Sequence, residues 1–350
     1  MLKKHFSHFS SASNKKLFGK LTNGAEVLCY TLKNKNGLKM KVINYGATIT
    51  SFKIPVSLKN KVDVVLGFEK LEDYINSFEL PSAPYLGALV GRFAGRIHNA
   101  QFILNDTTYK LTHNHGVHQL HGGFEGFSKA IWEEVTFSTD ENPSLTLQYI
   151  SKDGEENFPG EVTTRITYTL TEENELKISM TSTTTVDTII NLTQHSYFNL
   201  DGHSEDIVNQ KLIVNSHKTL ETNIYNIPTG KFFDITKSPF DYNTPKECPT
   251  KIDNTFVLNK ENELATCLFS EKNNLKMSVF TNQPAVHIYV GGNCFNQIKG
   301  KKDASYHPLS GICFETQNFP DAPNHEHFPC AVLKKGETYH HDTTFKFEKI

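Results

Sequence analysis

The chain has 350 residues, 37% of them hydrophobic, with 25 Phe, 13 Tyr and a formal net charge of −2. That is the composition of a folded globular protein with enough chain to bury a large core. The near-neutral charge excludes a general attraction to nucleic acid or anionic membrane, and no apolar run approaches the ~20 residues that span a bilayer.

The opening "MLKKHFSHFSSASNKK" is basic, Ser-rich and free of acids. It has some likeness to an organelle-targeting peptide but lacks arginine and an apolar segment, so residues 1–17 read as a solvated tail before a single domain at 18–350. Period-two alternation then dominates. "KMKVINYGATITSFKIP" (39–55) reads as strand, and "GFEKLEDYIN" (67–76) as a short helix. "SLTLQYI" sets Leu145, Leu147 and Tyr149 on one face. "VTTRITYTL" does the same with Val162, Thr164, Ile166, Tyr168 and Leu170, and "ELKISM" with Leu176, Ile178 and Met180. "TEEN" between the last two supplies turn residues, so 162–183 is expected to be a hairpin. "QKLIVNS", "NLKMSVFTN" and "TTFKFEKI" continue the pattern. Many short strands with few helices favour an all-β fold, a large antiparallel β-sandwich, over alternating βαβ units.

The six cysteines (Cys29, Cys248, Cys267, Cys294, Cys313, Cys330) are scattered without a CxxC pair. They read as buried free thiols, and with no evident secretory signal the expected location is the cytoplasm.

Three arginines stand against 33 lysines, and two of them, Arg92 and Arg96, lie in "GALVGRFAGRI". Arginine offers a flat fork of donors that lysine cannot imitate. Arg96 is open to a ligand-binding or a structural reading; Arg92 reads as structural. "HNHGVHQLHGG" (113–123) holds four histidines. Extended, it would point His113 and His115 to one side, and a zinc site with His118 or His121 as third ligand is one reading. The other takes His121 as a neutral donor or acceptor, with two glycines behind it allowing a tight turn and close approach to a ligand. "NLTQHSYFNLDG" places His195 in a polar and aromatic run that suits a strand with one wet face; a structural role and a chemical one are both open. In "GICFETQNFPDAPN", Glu315 follows an apolar run and shares a strand face with Cys313, so burial is expected to raise it toward a useful base. Asp253 precedes an apolar run as a turn or cap residue, and Gln283 precedes Pro284.

"INYGATITSF", "DVVLGF", "GALVGRFAGRI", "LHGG", "QHSYFNL", "TNQPAVHIYVGG" and "GICFETQNFPDAPN" follow one another in the order found in aldose 1-epimerases. From about Phe18 to the C-terminus the chain resembles that family, also called galactose mutarotases. The resemblance implies a large β-sandwich of the galactose mutarotase type, with a sugar cleft on one face. It implies Glu315 as general base and His195 as general acid, with Arg96, His121, Asp253 and Gln283 contacting the sugar. Many members carry asparagine just before the arginine of the "GRxAxRI" stretch; this chain has Gly95. The implied reaction interconverts the α and β anomers of free hexoses such as D-galactose and D-glucose. It takes one base and one acid, and calls for neither metal nor cofactor. The expected partner is a small sugar, without nucleic acid or membrane, in a monomer or homodimer. The competing readings are a glycoside hydrolase using Glu315 and Asp253 as its carboxylate pair, and a non-catalytic carbohydrate-binding protein. An epimerase for phosphorylated sugar would want more arginine than this chain has.

Overall fold

Val162–Leu170 and Glu175–Thr184 form the expected hairpin, and Val162, Thr164, Ile166, Tyr168 and Leu170 all turn inward. The computed structural model that shows this describes residues 14–259, 264–292 and 298–350. The hairpin sits in a nine-stranded antiparallel sheet. Next to it lies the C-terminal strand Tyr339–Lys349, followed by Leu275–Thr281 and Leu264–Ser270.

A second sheet of six strands runs in the order Tyr197–Phe198, Ile312–Gln317, Ala285–Val290, Asp253–Leu258, Ser216–Thr222 and Pro228–Asp234. Alternation divides its residues between two faces. Phe256, Val286, Ile288, Ile312 and Phe314 join the core cluster that also holds Ile166, Met180, Val279 and Phe345 of the larger sheet. Phe198 bridges the layers, with ring centroids 6.2 Å from Phe314 and 4.9 Å from Phe345. Each such buried phenyl contributes roughly 2–3 kcal/mol, so the inner faces hold the sandwich together. Asp253, Thr255, His287, Tyr289, Glu315 and Gln317 occupy the opposite face.

"KMKVINYGATITSFKIP" resolves into two strands, Lys39–Ile43 and Thr48–Pro55, of a five-stranded N-terminal sheet. The expected helix is Leu71–Ser77; "GFEK" before it stays outside the helix. Lys15–Lys20 is already a strand paired with Glu26–Lys33, so part of the stretch assigned to the tail is structured, while residues 1–13 lie outside the described residues. Cys294 also lies outside them. Among the described residues no helix is long and apolar enough to cross a membrane.

Candidate active site

The polar face of the six-stranded sheet floors a cavity of about 290 Å³, at the small end of ligand sites and suited to a molecule the size of one sugar ring. Glu315 rises from the strand Ile312–Gln317, from which Glu315 and Gln317 line the cavity. The even-numbered Thr316 bonds the other way, to Thr343 and His341 of the nine-stranded sheet, at 2.6 and 3.1 Å. This locks the strand, and Glu315 with it.

His195 enters from a segment that is buried throughout, not from a strand with one wet face as the sequence suggested. Its polar neighbours hold backbone. Asn191 donates to the carbonyls of Ala94 and Asn318, Gln194 to Gly87, and Asn199 to Glu205 and Ser310. The His195 amide donates to Ala88 at 2.9 Å, and its carbonyl accepts from Gly87 at 2.9 Å. The imidazole lies between the rings of Tyr85 and Tyr197, at centroid distances of 5.9 and 5.2 Å. Its Nε2 is 3.5 Å from Glu315 Oε1, and its Nδ1 is 3.6 Å from Cys313 Sγ. Only 4% of His195 and 2% of Glu315 are exposed.

His121 completes the group from the loop after Gln119–Leu120. Its Nδ1 accepts the Gly95 amide at 3.2 Å, which leaves the ring's hydrogen on Nε2. Burial, with His195 and Arg96 nearby, holds His121 well below the usual histidine range, so it is a neutral donor. The atoms with which His121, His195 and Glu315 could bind a ligand lie within 4.8 Å of one another. Among the described residues, His113, His115 and His118 are not part of that group. His115 lies at the cavity wall, while His118 accepts from the Asn99 amide and stacks on His98. Gly122 serves protein packing rather than ligand approach: its φ is +84°, and a Cβ there would stand 2.0 Å from the Gly91 carbonyl oxygen.

Arg96 lines the cavity, with its Nε buried and without a hydrogen-bond partner. Arg92 points elsewhere. Its guanidinium holds Ser151 Oγ and the carbonyls of Pro159, Ser151 and Lys152, a structural role as read. Asp253 opens its strand at the cavity floor. Its Oδ1 is 2.9 Å from His287 Nε2, and its Oδ2 accepts from Asn226 Nδ2 at 2.8 Å. Burial alone would raise its carboxyl, but the hydrogen bond and charge of His287, with Arg96 beyond, outweigh burial and hold it low.

Gln283 does not reach the cavity, which corrects the expectation for it. It has the parity of His287 and Tyr289, which line the cavity, but lies before the strand's first residue, Ala285. There the chain has turned, and its amide donates to Asn282 Oδ1 at 2.9 Å and to the His340 carbonyl at 3.5 Å. His287 and Gln317 stand at the floor instead, the latter with Oε1 buried and unsatisfied. Sequence reasoning missed both. The signal was present for His287, as the polar side of an alternating "AVHIYV".

A buried carboxylate, two imidazoles and a guanidinium whose Nε lacks a partner thus surround a space the size of one sugar ring. The family model for aldose 1-epimerase matches residues 28–346. The galactose mutarotase of Bos taurus is 36% identical over 342 residues, which is 95% of this chain and 97% of that one. The aldose 1-epimerase of Haemophilus influenzae is 35% identical, covering 93% and 97%. Among solved structures, the aldose epimerase homologue of C. elegans superposes with a TM-score of 0.84 at 28% identity, covering 91% and 98%. The galactose 1-epimerase of Lactobacillus acidophilus superposes with a TM-score of 0.83 at 27% identity, covering 96% and 98%. With the family matched across nearly the whole described fold, the chain belongs to the aldose 1-epimerase family of isomerases.

Proposed function

We propose that the chain interconverts the α and β anomers of free hexoses, D-galactose and D-glucose among them, with Glu315 as general base and His195 as general acid. Glu315 takes the proton of the anomeric hydroxyl as the bond between C1 and the ring oxygen breaks. His195 gives a proton to that ring oxygen. The aldehyde turns about the C1–C2 bond, and both protons return as the ring closes on the other face. The two sugar oxygens share one carbon, so their acid and base must be close neighbours. The observation that carries this reading is the 3.5 Å separation of His195 Nε2 and Glu315 Oε1 at the wall of one cavity. The protonation state the reaction needs, a carboxylate beside an imidazolium, is an ion pair at that distance. Each well-placed group supplies ~10²–10⁴ in rate.

Arg96 Nε and Gln317 Oε1, both buried without partners, find them in sugar hydroxyls. The neutral Nε2–H of His121 donates to another. Asp253 holds a hydroxyl from the floor and limits how the opened chain swings. Both of its oxygens are engaged by His287 and Asn226, which fits a fixed acceptor better than the second carboxylate of a glycoside hydrolase. The free thiols of Cys29, Cys248, Cys267 and Cys330 support a reducing, cytoplasmic setting. Polarimetry on freshly dissolved α-D-galactose and α-D-glucose tests the activity: optical rotation reaches equilibrium faster with protein, and an unchanged relaxation rate contradicts it.

A further inference from the structure

Three adjacent strands set Thr255, His287 and Glu315 in one row, His287 being the cross-strand partner of both its neighbours. Such partners project on the same face. Thr255 Oγ1 is 2.9 Å from His287 Nδ1, and Asp253 Oδ1 is 2.9 Å from His287 Nε2. Both ring nitrogens are therefore engaged, and the ring has a single orientation. His287 lies within "TNQPAVHIYVGG", but the sequence reading gave it no role.

We propose that His287 is a positioning residue for the isomerisation, fixing the Asp253 carboxylate at the cavity floor and placing a positive charge between Asp253 and Glu315. The proposal rests on the reading of Glu315 as the base. The groups facing the ring are Asp253 and Thr255 from one strand, Glu315 and Gln317 from the other, and Arg96 and His121 across the cavity. His121 is neutral, so two carboxylates face the ring against one guanidinium. Burial opposes a charge on His287, but the hydrogen bond and charge of Asp253, with Glu315 behind, outweigh it and raise the imidazole above its ordinary value; Arg96 works the other way. A charged ring keeps the repulsion of two buried carboxylates in check, so that the base enters the reaction ionised. Without that charge, the pair would share a proton more readily as pH falls.

Two substitutions separate positioning from charge. His287→Gln keeps a donor for Asp253 and approximates the size of the ring without its charge; His287→Ala removes donor and charge. For His287→Gln we expect the acid limb of the kcat/KM profile to move about one pH unit higher, with KM and the plateau kcat within about threefold of wild type. For His287→Ala we expect the same movement with KM raised about tenfold. A His287→Gln profile superimposable on wild type overturns the charge role, and an unchanged KM in folded His287→Ala overturns the positioning role. If His287→Ala does not fold, the movement of the His287→Gln limb decides alone. Glu315→Gln run alongside tells the two failures apart: full turnover there removes the base itself, whereas an inactive Glu315→Gln beside an unmoved His287→Gln profile removes only the role given to His287.

Discussion

The Gly95 amide donates to His121 Nδ1 at 3.2 Å, while the His121 amide donates back to the Gly95 carbonyl at 3.0 Å. This reciprocal pair fixes the imidazole tautomer of a ring that lines the cavity, leaving its hydrogen on Nε2. Loss of the donor in His121→Ala raises KM about tenfold and lowers kcat less, because the interaction serves ground state and transition state alike. His121→Gln, which keeps an N–H donor, recovers part of the loss. His121 is held well below the ordinary histidine value, so its imidazole signals in an NMR titration stay those of the neutral form from pH 8 down past 6.5.

Gly95 itself carries a second prediction. Its φ is +80°, and a Cβ on it would stand 2.8 Å from Pro320 Cβ and 2.9 Å from Pro320 Cγ. A side chain at this position therefore crowds Pro320 in this chain. Gly95→Asn costs about 1–3 kcal/mol by crowding, read as a lower thermal midpoint, and raises KM by displacing His121. Gly95→Asn combined with Pro320→Gly recovers a measurable part of that stability. Additive losses in the double variant would show that crowding is not the cause.

His341 lies beneath the base's strand, where its ring bonds Thr316, Thr343 and the Tyr339 hydroxyl. Burial pushes it down to about 3. A histidine depressed in the folded state gives stability that is present above its unfolded value near 6.5 and lost as pH falls toward the folded one. Between pH 6.5 and 5 this one group withdraws about 2 kcal/mol. Urea unfolding at pH 7 and pH 5 checks it: His341→Gln flattens the wild-type difference by about that amount. An equal pH dependence in both proteins would acquit the histidine.

The sandwich was legible because its strands alternate cleanly. In Val162–Leu170 every second residue is buried, and the hairpin follows from that and from "TEEN". Glu315 and His121 were legible from local chemistry, a carboxylate in an apolar strand and a histidine at a glycine turn. The surroundings of His195 were not: its polar neighbours look like a solvated face but bond to the backbone of distant segments, and only the folded topology supplies those partners. Gln283 was named by the resemblance alone; it lies before the strand Ala285–Val290, where its amide bonds Asn282 and the His340 carbonyl. His287 has the right parity inside the strand, but within "TNQPAVHIYVGG" attention went to Gln283. Arg92 already read as structural and Arg96 as open; the physical basis of that difference, four oxygen partners on one guanidinium and an unsatisfied Nε on the other, needed the fold.

His195→Asn keeps the size of the ring's inner part and removes the transferable proton. Its kcat falls ~10²–10⁴-fold. KM changes less, since the sugar contacts proposed for Arg96, His121, Asp253 and Gln317 remain. A kcat within threefold of wild type would take the acid role from His195.

The most direct test of the central claim is the rate at which Glu315→Gln brings α-D-galactose to anomeric equilibrium, followed by polarimetry beside a calorimetric titration with the same sugar. The substitution preserves shape and burial and removes only the basic oxygen. The account predicts a kcat lowered ~10²–10⁴-fold with sugar binding still measurable; turnover at the wild-type rate would contradict it.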